Sequence, residues 1–434
     1  MKKILAMFLL TILVLQVGCL DYNINVVSGK SSYTGKGVTI TDKGNYFDVE
    51  LDYTKGLSHK QIGEEYAKGI LKVVPDYETL IDSYIAENLL SNEYNQAFWR
   101  VEDVKPQLEE KYKDEIEGMA GAFSGGNSDV RGDNKISADE FYLFNLFLDV
   151  VRNTQCSFVS VYGSRSATGK TITGKILDWY GGDKNQLPKI QAVITIKSPE
   201  GKICSIGYMG FMGIITGFND SKIFASVQES QSGAPYSSTG KRSYSMDLRY
   251  ALENMKTLDK TIEFMKDSKK QYAVNHLIVF SDPQVSKVLE NNFSGPGTGT
   301  GRVKRAVRTS DSKLNDGITW GFKDAIACVN SFLLYGNHDN HTEFTYNTFR
   351  WGFIKDQLSK KASSKVTKED IKNMMSFCGG SPSSFFDTKY LYTKSTLSIA
   401  IFEPDTLNLE MYFFPKNSLK VPDKPTFEKI HVNW

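Results

Sequence analysis

Apolar and polar positions along this chain change rhythm at its middle. In residues 24 to 52 they alternate, most clearly in GVTITDKGNYFDVELDY, which predicts paired strands. Ser58 then opens a helix. Gln61 stands three residues on, the spacing of a capping box, and Ile62, Tyr66, Ile70 and Val73 recur at helical spacing before Pro75 ends the run. A second helix is expected over 77–90, and a third carries Leu108, Tyr112, Ile116 and Met119 on one face. Ser137 and Glu140 form another capping pair ahead of FYLFNLFLDVV, so the first third reads as mostly helical. After Cys156 the pattern shortens to successive strands: SFVSVYG, TITGKILDW, IQAVITIKS, KICSIGYMG and IFASVQES. Helices are predicted over 248–265 and 346–358, and strands over 275–280, 396–402 and 407–413. Residues 294–317, rich in Gly, Ser and Arg, read as a loop. Helical layers with many antiparallel strands predict an α+β fold.

Composition narrows the function. The 434 residues can bury one large core or two moderate ones. A net charge of +2 provides no field to recruit nucleic acid. At the N-terminus, Lys2 and Lys3 precede an apolar run from Ile4 to Val17, the pattern of a signal peptide over 1–19. Val17-Gly18-Cys19 is similar to the end of a lipoprotein signal. Both a lipid anchor at Cys19 and a plain cleaved signal stay open, and either expects a secreted or extracytoplasmic protein. The five cysteines fit no metal motif and no disulfide framework, and no cofactor is called for.

Three motifs lose to simpler readings. SATGKTITGK has the wrong spacing for a phosphate loop and leads into a strand rather than a helix. In DVRGDNKISADE, Asp129, Asp133, Ile136 and Glu140 match calcium-loop positions, but Arg131 and Asn134 stand where a ligand oxygen and a glycine belong, so a turn before a helix is expected. GNHDNHTE gathers His338, His341 and Glu343 without a fourth ligand.

Cys156 is different. A lone cysteine is ordinarily a small buried hydrophobe. This one sits where the helical third gives way to strands, with Asp178 at the end of a following strand and Asn219 in a glycine-rich turn. Thiol, carboxylate and amide donors are the parts for acyl transfer. The missing base can be the cysteine's own α-amine, once Cys156 becomes a chain terminus, because such an amine titrates at about 7.7 to 8.0.

These residues resemble the N-terminal-nucleophile hydrolases of the penicillin acyltransferase and choloylglycine hydrolase type, over roughly residues 55–415. YKDEIEGMAGAF, QCSFVSV, GKILDW, MGIITGFND, ACVNSFLL, YNTFRWGFIKDQL, SFCGGSP and TLSIAIFEPDTLNLEMYF follow the family's order. The chain departs from its pattern at Gln155, Lys175, Ile176 and Ser331. The resemblance implies a four-layer αββα sandwich and autoproteolysis between Gln155 and Cys156. The parts are then a signal at 1–19, a mostly helical N-terminal chain or propeptide at 20–155, and a Cys156 chain at 156–434, the last two staying associated. It implies Cys156 as nucleophile, Asp178 as holder of its amine, and Asn219 and Asn330 as oxyanion donors. Arg350 would orient the site, with a surface cation as the alternative. Lys175 and Trp179 would meet a small N-acylated substrate, core packing being the alternative for Trp179. The activity expected is that of a thiol amidohydrolase or acyltransferase. A phospholipase B-like ester hydrolase and an uncleaved, non-enzymatic surface binding protein remain as rivals.

Overall fold

The computed structural model describes residues 31–151, 154–230, 237–293, 304–338, 341, 344–384, 386 and 389–434. The expected signal segment, Cys19, Glu343 and Asn340, which opens the glycosylation sequon NHT, lie outside them.

Ten strands make the larger sheet. In spatial order they are Ser32–Gly35, Val38–Asp42, Phe47–Asp52, Gln191–Lys197, Lys202–Tyr208, Thr216–Asn219, Phe224–Glu229, His276–Ser281, Ser286–Asn291 and Arg305–Arg308. Neighbours are antiparallel except Phe47–Asp52 against Gln191–Lys197, which pair in parallel. Six strands make the smaller sheet: Ala325–Cys328, Gln155–Val161, Ile172–Asp178, Thr396–Glu403, Asn408–Phe413 and Glu428–Ile430.

The sheets face each other across an apolar layer that includes Phe158, Phe218, Phe224, Leu277, Cys328 and Phe402. Phe402 joins the two, its ring centroid 4.4 Å from Phe218 and 5.4 Å from Phe224. Helices His59–Val73, Tyr244–Asn254 and Leu258–Lys266 pack on the larger sheet, and Thr345–Ser359 and Lys368–Met375 on the smaller one. The result is an α+β sandwich of helix, sheet, sheet and helix.

Both predicted capping boxes form. Ser58 Oγ accepts from Gln61 N while Gln61 Oε1 accepts from Ser58 N, and Ser137 and Glu140 do the same. The His59–Val73 helix then lies against Glu110–Ala120 at backbone distance. A Cβ on Gly63 would sit 2.3 Å from the Glu115 carbonyl, and one on Gly118 would sit 2.2 Å from that of Lys60, so both positions require glycine. Arg249, fully buried, ties this pair to Tyr244–Asn254 by donating to Glu115 at 2.5 and 2.9 Å and to Glu253 at 2.8 Å. Burying three charges is tolerable only because they pair with one another.

Several expectations shift. The 77–90 helix ends at Asn88, and an unforeseen helix, Ser91–Val104, follows. The single helix expected over 248–265 is two, parted before Thr257, whose hydroxyl caps the second. The 294–317 loop contains the strand Arg305–Arg308. The calcium-like segment is a turn held from outside: Asp82 accepts from the backbone N–H groups of Gly132 and Asn134 at 2.8 and 2.5 Å. Asn292, which opens the glycosylation sequon NFS in the sequence, is buried and donates to Asn337. The segment before Cys156 is not an appendage, since its three strands extend the larger sheet and its helices share the main core.

Candidate active site

Cys156 lies at the start of the Gln155–Val161 strand, 1% exposed. The strand pairs antiparallel with Ile172–Asp178, so that Gln155 faces Asp178, Cys156 faces Leu177 and Phe158 faces Lys175. Directly opposed residues share a face, and successive residues alternate. Cys156, Phe158, Lys175 and Leu177 therefore point one way, into the layer between the sheets. Gln155, Ser157, Ile176 and Asp178 point the other way.

Hydrogen bonds converge on the Gln155–Cys156 junction from three directions. The amide N–H of Cys156 donates to Asn330 Oδ1 at 2.9 Å. The Cys156 carbonyl accepts from Arg350 Nη1 at 2.5 Å, and the same nitrogen donates to Ser157 Oγ at 2.8 Å. Arg350 Nη2 reaches Asn330 Oδ1 at 3.1 Å and Asn347 Oδ1 at 2.6 Å. Asn330 Nδ2 donates to the Glu229 carbonyl at 2.7 Å, and Glu229 Oε2 accepts from Thr154 N at 3.1 Å, two residues before Cys156. Arg350 is thus no surface cation; it is fully buried among these acceptors, on the Thr345–Ser359 helix. Burial pulls its pKa down to about 10, which still leaves it a cation near neutral pH.

Asp178 is fully buried too. Its Oδ1 accepts from Thr396 Oγ1 at 2.5 Å and Thr393 Oγ1 at 3.1 Å, while Oδ2 has no hydrogen-bond partner among the described residues. Burial, opposed by the Thr396 hydroxyl and the Arg350 charge, pushes its pKa up from 3.8 to about 6. The folded chain therefore keeps a proton here that the unfolded chain releases near 3.8. Stability from this carboxyl is complete below the unfolded value and is lost as pH rises through the folded one, about 3 kcal/mol in total. In an uncleaved Cys156→Ala background, adding Asp178→Asn should make the protein relatively more stable at about pH 7 than at about pH 4 by that amount. Urea titrations at both pH values check this. A difference that does not change with pH would mean that Asp178 does not titrate in this range.

The thiol sits within the apolar core. Sγ is 3.9 Å from the Val227 carbonyl. Burial pushes its pKa up, against the Lys175 charge, which pulls it down. Lys175 is 1% exposed, and Nζ has no hydrogen-bond partner among the described residues. Trp179 packs between Phe147 and Tyr208, centroids 5.9 and 6.0 Å away, and its indole N–H is also without an acceptor among the described residues. That is a core position carrying an unused donor.

One expected residue does not join the group. Asn219 ends its strand in the larger sheet, with Nδ2 donating to the Leu252 and Met255 carbonyls at 2.9 and 3.1 Å and Oδ1 accepting from Ile223 N. Both amide hydrogens are spent on closing the end of the Tyr244–Asn254 helix, so Asn219 has none for an oxyanion. Conversely, Glu229, Asn347 and Ser157 join the site without being expected there. Glu229 offers one signal in the sequence, a carboxylate at the very end of the strand FASVQE.

No protein-family model matches this chain, and no curated protein matches it. Solved structures do. A Caenorhabditis elegans N-acylethanolamine-hydrolyzing acid amidase ortholog aligns over 57% of this chain and 93% of its own, at 14% identity and a TM-score of 0.40. Penicillin V acylase from Agrobacterium tumefaciens aligns over 59% and 83%, at 11% and 0.35. A mutant of the conjugated bile acid hydrolase from Clostridium perfringens aligns over 64% and 97%, at 11% and 0.34. At such identities and scores, the chemistry rests on this chain's own residues.

Proposed function

We propose that this protein is a thiol amidohydrolase or acyltransferase that matures by cutting itself between Gln155 and Cys156 and then acts on small linear N-acyl amides. The observation that carries the reading is the set of buried polar groups gathered on the backbone around Cys156. Asn330 holds the Cys156 nitrogen, Arg350 holds its carbonyl, Glu229 holds Thr154, and a buried carboxylate with an uncommitted oxygen stands opposite Gln155. A merely structural cysteine has no use for a cation and two carboxylates buried around its backbone, which cost several kcal/mol each to desolvate.

Cleavage would turn the amide of Cys156 into an α-amine. Asn330 Oδ1 already accepts from that nitrogen, and Asp178 Oδ2 would accept a second hydrogen and balance the ammonium charge. The amine would take the thiol proton, Sγ would attack the acyl carbon of the substrate, and the thioester would pass its acyl group to water or to an amine. Asn330 is the oxyanion donor of this scheme. The two chains would remain one body, because the N-terminal chain supplies three strands of the larger sheet.

Incubating mature protein with acyl amino acids, bile-salt conjugates, penicillins and matched esters tests the class. Amide turnover is expected, and turnover of esters alone would favour the phospholipase B-like alternative. An electrophilic acyl analogue should label Cys156 and spare Cys204 and Cys328, whose thiols burial pushes far up. Half-buried Cys378 is the internal control. Equal labelling of Cys156 and Cys378, without turnover, would remove the enzyme reading.

A further inference from the structure

The maturation step has a difficulty that turnover lacks. Before cleavage the nitrogen of Cys156 is an amide, and an amide cannot take the thiol proton. A different base must serve once. Asp178 is poorly placed, because strand alternation sets its carboxylate on the face of the sheet opposite the thiol, and two threonine hydroxyls occupy one of its oxygens. Arg350 is committed as a donor to the Cys156 carbonyl and to Asn330, and a guanidinium does not give up its proton near neutral pH.

Lys175 is the basic group on the thiol's own face. It stands directly opposite Phe158, two residues along the strand from Cys156, which makes it the diagonal neighbour of the thiol. Such neighbours are within reach of a long side chain. Its amine is buried, has no hydrogen-bond partner by distance among the described residues, and has the charge of Cys156 ahead of those of Cys328 and Asp178 among the influences on its pKa. A buried lysine, unlike an arginine, can be deprotonated.

We infer that Lys175 is the proton acceptor for self-cleavage, a role separate from that of the α-amine in later turnover and resting on the cleavage proposed above. The thiol proton moves to Lys175 Nζ. Sγ bonds to the Gln155 carbonyl carbon, and the C–N bond between Gln155 and Cys156 breaks as the departing nitrogen takes a proton from the Lys175 ammonium. Water then adds to the thioester, the C–S bond breaks, Gln155 leaves as a free carboxyl group, and the thiol regains its proton. Burial, which lowers the pKa of Lys175, suits it to this exchange.

The test follows appearance of the Cys156 N-terminus in freshly made full-length precursor, for wild type, Cys156→Ala, Lys175→Arg and Lys175→Ala. Wild type should cut and Cys156→Ala should not. Lys175→Arg keeps a cation in place but no usable base, and should slow cleavage at least about a hundredfold, the scale of lost general-base help. Ethylamine added to Lys175→Ala should restore cleavage in proportion to the free amine. Cleavage of Lys175→Arg at the wild-type rate overturns the inference while leaving the thiol reading intact. If Lys175→Ala does not fold, Lys175→Arg still decides. If wild type itself never yields a chain starting at Cys156, the proposed maturation fails, and this inference fails with it.

Discussion

Replacing Cys156 with alanine is expected to give a folded, single-chain protein with no measurable turnover. The loss should be on the order of a millionfold, the scale seen when a hydrolase loses its nucleophile. The fold should survive, because the hydrogen bond that Sγ makes among the described residues is a long one, to the Val227 carbonyl, and the hydrogen bonds around Cys156 use backbone atoms that alanine also has. Removing one sulfur atom from a packed site costs about 1 to 2 kcal/mol. Intact mass and circular dichroism check the first two points. Two chains in the purified variant, with a break before residue 156, would mean that another protease makes the cut.

Arg350→Ala should have the largest effect on stability. Its guanidinium serves the Cys156 carbonyl, Ser157 Oγ, Asn330 Oδ1 and Asn347 Oδ1, all buried. Deletion leaves those acceptors, and the buried carboxyl of Asp178, without their cation. The expected loss is about 3 to 5 kcal/mol, the range for breaking a buried ionic network. Arg350→Lys should recover little, since one ammonium cannot span acceptors that a planar fork reaches. Urea denaturation in the Cys156→Ala background isolates stability from cleavage. A loss within about 0.5 kcal/mol, typical of surface sites, would show that the network carries no weight.

How much of this is legible in the sequence follows from the range of each interaction. The capping boxes at Ser58 and Ser137 are local, so spacing alone finds them. The Gln155–Val161 and Ile172–Asp178 strands are visible because their apolar runs are bounded by turn residues. The Ser91–Val104 helix escapes notice because it begins after Leu90, which brings no side-chain oxygen to the cap. The four-residue strand Ala325–Cys328 merges into the apolar stretch after it and gives no period to read. Asn219 and Asn330 look alike in sequence. What separates them is a helix end 33 residues after Asn219, which consumes its amide, and a peptide 174 residues before Asn330, which its oxygen binds. The burial of Arg350 is equally tertiary, since Thr345–Ser359 offers no clean apolar stripe from which an inward-facing position could be told.

The most direct test of self-cleavage before Cys156 is the N-terminal sequence of every chain in protein purified from its native source, read together with the intact masses. Two chains held in one particle are expected, the second starting Cys156-Ser157-Phe158. One unbroken chain through Gln155 and Cys156 in material that turns over N-acyl amides would contradict self-cleavage.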